Sequence, residues 1–293
     1  MAVELARRIP GAVIAMTTDP LHVAARRVLL DALEDLAEHR DAVIVVGAQA
    51  VYLRTRVELP GVAEYTTDGD LALATDRLAD SPLLEDVMRS RFDHAGQPGA
   101  EEPGVWTQTV EIDGVAVEVP VDLIVPEGIA APGGTRGARL GVHGRRAARK
   151  APGLEAATID NDVLAIASLD QEDRRVMDAL VAGPTALLIA KAYKINDRLA
   201  ETARPDRLKD KDASDVYRIF LTTGAERVRE VLTGLLEDER VAGPAQRGIE
   251  MLRSQFGTRR SPGVEMAVRS LRIAVPEDRI RAVCTGFIDA LGR

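Results

Sequence analysis

Apolar residues recur every three to four positions across Pro20–Arg40, and this spacing predicts an amphipathic helix. Asp19 supports a helix start at this point, because aspartate caps a first turn and proline fits the first helical position. The run Ala42–Val46 is short, apolar and rich in β-branched residues, which predicts a buried strand ended by a glycine. A second helix is predicted over Ala48–Arg56.

The chain up to residue 125 is predicted to continue with strands and one more helix. An Asp-Gly pair between two strand-like runs is a strong signal for a β-hairpin. Gly and Pro cluster before that hairpin, which predicts a loop. These predicted elements are a strand at Leu71–Leu73, a helix at Asp76–Arg91, a loop at His94–Gly104, and hairpin strands at Val105–Glu111 and Val115–Val125 around Asp113-Gly114.

The second half is predicted to be mainly helical. Pro126–Gly153 is rich in Gly, Ala and Arg and predicts either a linker or a loop that faces a substrate. Two short strands, a helix and a long helical region follow, at Ala157–Leu169, Arg174–Ala182, Thr185–Leu199 and Asp210–Arg293. We therefore predict an α/β (α+β) protein, with a small mixed-sheet domain at residues 1–153 and a mainly helical domain at residues 154–293.

Composition narrows the classes of function. The net charge is −8, so binding of duplex DNA through charge alone is not expected, although a local basic groove remains open. Aromatic residues make up 3% of the chain, too few for stacking platforms along single-stranded nucleic acid. The single cysteine, Cys284, argues against a disulfide framework and favours a reduced, cytoplasmic protein. Met1–Pro20 predicts an ordinary soluble segment, and no apolar run is long enough to cross a membrane.

Two aspartates, Asp68 and Asp70, stand at the start of the second predicted strand. Residues two apart on a strand point to the same side, so their carboxylates would lie together. Two adjacent anions are unfavourable unless a cation neutralises them. Hard oxygen ligands of this kind suit Mg²⁺, which in turn binds phosphate oxygens. The alternative is a solvated turn that carries two acids.

The surroundings of this pair favour a site. Gly47 and Ala48 form a turn between a buried strand and a helix, where backbone N–H groups can approach a polyphosphate. Asp122 stands inside the apolar strand Val119–Val125, where a lone carboxylate is unfavourable without a partner. A third carboxylate beside the metal explains it. A strand-end aspartate that bonds to the backbone is the alternative.

Charged residues of the second half fall at helical spacings. Lys191, Lys194 and Arg198 share one helical face and could hold a triphosphate, or they form an ordinary hydrated face. Asp212 and Asp215 are three apart on a later helix and could orient Lys191, bind the base or ribose, or act on the incoming nucleophile. The alternative is that they are acids favoured at a helix start.

A basic stretch with almost no acids follows the Asp122 strand. Its residues Arg145, Arg146 and Arg149 are the predicted contacts to a polyanionic acceptor, with a solvated loop as the alternative. His143 lies in the same stretch and carries no predicted role.

The order of these motifs resembles a known family. A strand, a Gly turn and a helix, then Asp-x-Asp, then a later strand Asp resemble the nucleotidyltransferase superfold of the polymerase-β type. Leu187–Lys194 followed by Lys209–Tyr217 is similar to the "AK…KDxxDLY" signature of the AbiEii-type family, which includes the MenT-type toxins. The resemblance spans about Val43 to Tyr217. Gly47-Ala48 departs from the usual Gly-Gly or Gly-Ser turn, so a hydroxyl that could touch a phosphate is missing.

The resemblance implies a Mg²⁺-dependent enzyme that moves an NMP from an NTP to an acceptor hydroxyl, with loss of pyrophosphate. It implies a tRNA 3′ end as the acceptor, growth arrest as the outcome and a cognate antitoxin as a partner. The expected roles are metal binding by Asp68, Asp70 and Asp122, catalysis by these three with Lys191 and Asp212, and nucleotide binding by Gly47, Ala48, Lys191, Lys194 and Asp215. Transfer to a protein or to a small aminoglycoside-like molecule is one alternative. A catalytically silent nucleotide- or RNA-binding module is another.

Overall fold

The computed structural model describes residues 18–57, 59, 62–97, 99–132 and 136–292. The predicted segment Met1–Pro20 lies almost entirely outside them. The described residues form a mixed α/β structure in which a sheet is followed by a mainly helical part, as the sequence predicts. Within them, no helix is both long enough and apolar enough to cross a membrane.

The elements run in the following order along the chain. The strands are β1 (Val43–Val46), β2 (Gly69–Leu73), β3 (Asp93–Gln97), β4 (Ala100–Ile112), β5 (Val115–Pro126), β6 (Arg149–Ala151), β7 (Asn161–Ala167) and β8 (Val176–Ala182). The helices are α1 (Pro20–Asp35), α2 (Gly47–Thr55), α3 (Leu84–Met88), α4 (Pro184–Ala200), α5 (Asp210–Thr222), α6 (Ala225–Glu237), α7 (Ala242–Phe256), α8 (Pro262–Leu271) and α9 (Glu277–Leu291).

The strands form one mixed sheet with β1 in its interior. The order is β3-β4-β5-β2-β1-β8-β7, and β6 pairs with β5 outside this path. β2 pairs antiparallel with β1 and parallel with β5, and β8 pairs parallel with β1. All four residues of β1 are buried, which explains why its sequence is a continuous apolar run.

The sheet continues past residue 153. β7 and β8 are the two short strands predicted in the second half, and they complete the sheet beside β1. From Pro184 onward the described elements are helices and short turns. The division of the chain at residues 153 and 154 stays a prediction.

The helical part is organised around α5. The Phe220 ring stacks on Phe287 with ring centroids 4.1 Å apart and meets Phe256 edge-on at 5.6 Å. α5 also packs on α2 and α4, which border the sheet. These contacts fix the position of α5 relative to α4 and hence the position of the acids on its first turns.

The prediction of a loop at His94–Gly104 is wrong. β3 and β4 pair as a hairpin through this segment, and the His94 ring stacks on Trp106 at a centroid distance of 3.8 Å. Gly96 and Gly99 have φ angles of 99° and 85°, so they allow a bulge and a tight turn inside the hairpin. The glycines that indicated a loop are therefore part of strand geometry.

The helix predicted over Asp76–Arg91 is much shorter in the structure. Only Leu84–Met88 is helical, and Pro82 lies just before it. A proline restrains the preceding residue to extended backbone, so a helix cannot run through this point without cost. The apolar spacing around Leu84 does indicate a helix, but that helix begins later than the spacing alone predicts.

Candidate active site

Asp70 and Asp122 face each other in register on neighbouring parallel strands, β2 and β5. Residues paired in this way project to the same face of the sheet, with the strands about 4.8 Å apart. Asp68 stands two residues before Asp70, and its Oδ1 accepts a hydrogen bond from the Thr66 hydroxyl at 2.5 Å. The fold therefore brings together the three carboxylates that the sequence singled out.

The three carboxylates interact strongly. Burial, followed by the negative charges of Asp68 and Asp122, raises the pKa of Asp70 from 3.8 to about 7. Burial also raises the pKa of Asp122, although the neighbouring Arg149 opposes the shift. The structure thus concentrates negative charge at a partly buried point, where a divalent cation would neutralise it.

The donor set fits a hard cation such as Mg²⁺, because it consists of carboxylate oxygens. Among the described residues, however, no group of three or more Asp, Glu, His or Cys side chains is placed so that it could hold a metal ion. Asp68 bonds to Thr66, and Oδ2 of Asp122 accepts from both Nε (3.1 Å) and Nη2 (2.5 Å) of Arg149. Thr66 and Arg149 are thus hydrogen-bond partners of Asp68 and Asp122. Such partners are expected where neighbouring carboxylates repel one another.

Gly47 makes room for the central carboxylate. It has a φ angle of 68°, and a Cβ added to it would lie 2.0 Å from Oδ2 of Asp70. Only glycine meets both requirements, since other residues avoid this backbone region and would collide with Asp70. Helix α2 begins at this glycine, and no side chain caps its first turn. Ala48 is buried behind it.

A cavity of about 630 Å³ opens beside Gly47 and Asp70. It runs along α4 and continues to the segment that follows this helix. Three of the described lining residues are acidic, Asp70, Glu102 and Asp197, and eight are basic. The basic residues are Arg136, Arg149, Lys150, Lys191, Lys194, Arg198, Arg204 and Arg207. This excess contrasts with the net charge of −8 for the chain and favours a polyanionic ligand.

Lys191 lies between the cavity and two buried acids of α5. Its ammonium group is 2.8 Å from Oδ1 of Asp212 and 2.6 Å from Oδ2 of Asp215, and all three residues are at most 5% exposed. Burial alone would lower the pKa of Lys191, but Asp212 and Asp215 outweigh it and raise the pKa. Burial likewise opposes ionisation of Asp212, but the charges of Lys191 and Lys194 keep its pKa below the usual range. Lys191 and Asp212 are therefore both charged at neutral pH.

Lys194 is placed differently from Lys191. Half of its side chain is exposed, and its ammonium group lies 3.4 Å from Oδ1 of Asp212. It lines the cavity one helical turn beyond Lys191. Asp215 is fully buried and does not line the cavity. Its carboxylate pairs with Lys191 and Lys211.

The three arginines predicted to contact the acceptor separate in the structure. Arg149 lines the cavity and pairs with Asp122. Arg146 is half-exposed, lies 3.6 Å from Glu85 and does not line the cavity. Arg145 is exposed and does not line the cavity either. His143 is buried, where its Nδ1 accepts from the Leu84 N–H and its Nε2 bonds to the Ala79 carbonyl. Its contacts are structural.

Sequence reasoning missed several residues of the cavity. Arg136 and Lys150 belong to the basic segment that favoured a polyanionic acceptor, although neither is among its three predicted contacts, and Arg204 and Arg207 had no predicted role. Arg204 precedes a short 3-10 turn after α4 and Arg207 is its last residue, and no periodic pattern relates them to Arg198. A cluster of arginines around Glu201 was the available signal.

Comparisons with known proteins add little to this geometry. No protein-family model and no curated protein matches the chain. Among solved structures, the chain is similar to an antigenic nucleotidyltransferase-like protein from Paracoccidioides brasiliensis. The two are 14% identical, the match covers 79% of this chain and 94% of the other, and the TM-score is 0.39.

Proposed function

We propose that the protein is a Mg²⁺-dependent nucleotidyltransferase that moves an NMP from an NTP to an acceptor hydroxyl. The observation that carries the proposal is the in-register pair Asp70–Asp122, with Asp68 beside it, at the edge of a cavity rich in cations. In this proposal, the carboxylates and the basic residues act on different parts of the bound nucleotide. The acids suit metal ions that bind reacting phosphates, and the lysines and arginines suit the remaining negative charge.

Each residue of the site has a task in this proposal. Asp68, Asp70 and Asp122 would hold Mg²⁺, which supplies Lewis-acid stabilisation of the phosphate oxygens. Oδ1 of Asp122 lies outside the pair with Arg149 and would accept the proton of the attacking hydroxyl. The hydroxyl oxygen then bonds to the α-phosphorus as the bond to pyrophosphate breaks. Lys191 has three N–H donors, and two acids engage it. A further donor can serve the leaving phosphates.

The acceptor and the biological role are finer proposals. The resemblance of the motifs supports transfer to a tRNA 3′ end by the toxin of a toxin–antitoxin pair. The excess of basic residues in the cavity supports a polyanionic acceptor. It disfavours a small aminoglycoside-like acceptor, because such molecules are polycations. A protein acceptor remains the second candidate.

The test is transfer of label from each of the four NTPs, labelled at the α-phosphate, in the presence of Mg²⁺. Total tRNA, a cell-protein extract and an aminoglycoside are supplied separately as acceptors. We expect label in the RNA fraction with one preferred NTP. The Asp70→Asn variant keeps the size of the side chain and should transfer nothing while its circular dichroism spectrum is unchanged.

Two results would contradict the proposal. Transfer by Asp70→Asn at the rate of the unchanged protein would remove these carboxylates from the active site. Binding of NTP or RNA with no transfer to any acceptor would favour the silent binding module. Label in protein instead of RNA would keep the enzyme class and replace the acceptor.

A further inference from the structure

Three arginines share one glutamate, Glu201, which stands at the C-terminal end of α4. Arg207 Nη1 lies 2.6 Å and Arg198 Nη1 3.3 Å from Oε2 of Glu201, and Arg204 contacts Oε1 through Nε at 2.6 Å. We call Arg198, Arg204 and Arg207 the arginine cluster. All three line the cavity, and Glu201 does not.

The arginine cluster carries more positive charge than its acidic neighbours balance. Glu201 is the acid common to all three members. Asp197 lies 3.6 Å from Arg198, but 70% of its side chain is exposed, so solvent weakens its effect. Arg198 and Arg207 each reach Glu201 through one nitrogen, although a guanidinium group has five N–H donors. The remaining donors suit a second oxygen anion.

The position of the arginine cluster separates it from the reacting groups. Arg198 follows Lys191 by seven residues on α4, which corresponds to about 10 Å along the helix. The reacting phosphates must lie at Asp68, Asp70 and Asp122 if these residues hold the metal. An anion at the arginine cluster therefore belongs to another part of the bound substrates.

We propose that the arginine cluster binds a backbone phosphate of a nucleic-acid acceptor while the terminal hydroxyl of that strand lies at Asp70. This inference rests on the proposed function, because it assumes that the hydroxyl reacts at the carboxylates. It implies an acceptor several nucleotides long instead of a small molecule. Phosphates are the anions that planar, bidentate arginine groups recognise best. The cavity then holds the acceptor strand along α4.

The test compares binding of RNA and of NTP by charge variants. The triple variant Arg198→Ala, Arg204→Ala, Arg207→Ala should bind labelled total tRNA at least about tenfold more weakly at low salt. Its plot of log affinity against log salt should be flatter, by roughly 0.7 for each single-strand phosphate that the variant no longer binds. Binding of the four NTPs with Mg²⁺ should stay within about twofold of the unchanged protein.

Two further variants sharpen the comparison. Arg229→Ala, Arg272→Ala, Arg279→Ala removes the same charge from exposed residues outside the cavity and should leave RNA binding nearly unchanged. Glu201→Gln removes the competing carboxylate and should strengthen RNA binding. The expected change in RNA affinity is opposite to that of the triple variant. Glu201→Gln therefore tests the inference even if the triple variant folds poorly.

The outcomes separate the inference from the proposed function. RNA binding that needs the arginine cluster, in a protein that transfers no NMP, would support the phosphate contact of the cluster and contradict the proposed function. NMP transfer to RNA with full RNA binding by the triple variant would do the reverse. A loss confined to NTP affinity would assign the arginine cluster to the nucleotide and overturn the inference. An equal loss in the control variant, or no RNA binding by the unchanged protein, would overturn it as well.

Discussion

At the scale of single residues, Gly47 holds the strictest position in the site. Replacement by alanine places a Cβ 2.0 Å from Oδ2 of Asp70 and keeps a residue at a φ angle of 68°. We expect Gly47→Ala to lower the free energy of unfolding by about 1–3 kcal/mol from backbone strain alone. It should also abolish nucleotidyl transfer, because Asp70 must move. Urea unfolding and the transfer assay measure the two effects.

Gly114→Ala is the matched control. Gly114 has a similar φ angle of 78°, but a Cβ there meets nothing within 4 Å. The control should lose stability through strain and keep its transfer activity. If Gly47→Ala were as active as Gly114→Ala, contact between position 47 and Asp70 would not matter for the reaction.

Asp70 makes stability depend on pH in the absence of metal. Its pKa of about 7 in the folded protein exceeds the usual 3.8, so the folded state holds a proton that the unfolded chain releases. The carboxylate therefore costs stability increasingly as pH rises from about 4 to 7, and the cost is full above 7. We expect Asp70→Asn to melt at a higher temperature than the unchanged protein at pH 8, with the difference shrinking towards pH 4.

Mg²⁺ should reduce this difference, because it neutralises the carboxylate that the variant lacks. Asp80→Asn, at an exposed residue, is the control and should show no such trend. Equal melting temperatures of Asp70→Asn and the unchanged protein at every pH would mean that burial and the neighbouring carboxylates do not raise the pKa of Asp70.

The three carboxylates Asp68, Asp70 and Asp122 were predictable from the sequence, but the pairing of Asp122 with Arg149 was not. An Asp-x-Asp at a strand start and an aspartate in an apolar strand are local signals. The pair between Asp122 and Arg149 joins residues 27 positions apart and depends on the parallel pairing of β5 with β6. Strand pairing over that distance leaves no local pattern in the chain.

At the scale of elements, α4 and α5 are joined through Lys191. Lys191→Ala leaves Asp212 and Asp215 buried without their common cation. Breaking a buried pair in this way costs about 3–5 kcal/mol, so we expect a large loss in urea stability. Lys194→Ala is the control on the same helix. Its side chain is 49% exposed, and the loss should be at most about 1 kcal/mol.

These values decide how the activity of the Lys191 variant is interpreted. The sequence assigns Lys191 to nucleotide binding, so Lys191→Ala is expected to weaken NTP use, and the buried ion pairs add a structural role. NTP use by Lys191→Ala and by the unchanged protein should therefore be compared at a temperature where the variant is still folded. A loss in stability no larger than that of Lys194→Ala would show that solvent or rearrangement replaces the ion pairs.

Elements with regular spacing were predicted best. The buried strand β1, the hairpin of β4 and β5, and helix α4 each follow from a local period or an Asp-Gly turn. The pairing of β3 with β4 could not be predicted in this way, because in the sequence the glycines of a β-bulge cannot be told apart from the glycines of a loop. The start of α3 was misplaced because the prediction followed the apolar spacing alone, without the effect of Pro82.

At the scale of the whole molecule, the sheet joins both halves of the sequence. β8, at residues 176–182, pairs with β1 and covers what would be an apolar edge. We expect a fragment of residues 1–153 to aggregate when it is expressed alone. Co-expression with residues 154–293 should recover soluble protein, as measured by size-exclusion chromatography. A soluble, monomeric fragment that unfolds cooperatively would support an independent domain at residues 1–153.

The charge of the whole chain did not predict its cavity. The net charge of −8 sums over the whole chain and does not show where the charges lie. The eight basic lining residues come from α4, from the short strand β6, and from the segments before β6 and after α4. Only the folded chain shows that Arg136, Arg204 and Lys194 share one space. The argument against nucleic acid from net charge is therefore weaker than the sequence suggested.

The parallel pairing of β1 with β8 has a consequence during synthesis. About 130 residues separate the end of β1 from the start of β8. At a ribosomal rate of about 5–20 residues per second, β8 follows β1 by roughly 7–26 s. A nascent chain therefore carries Asp68 and Asp70 long before the strand and helices that complete the cavity emerge. A chain that terminates before β8 would contain Asp68 and Asp70 without Lys191 and the arginine cluster, so such an incomplete product should be inert.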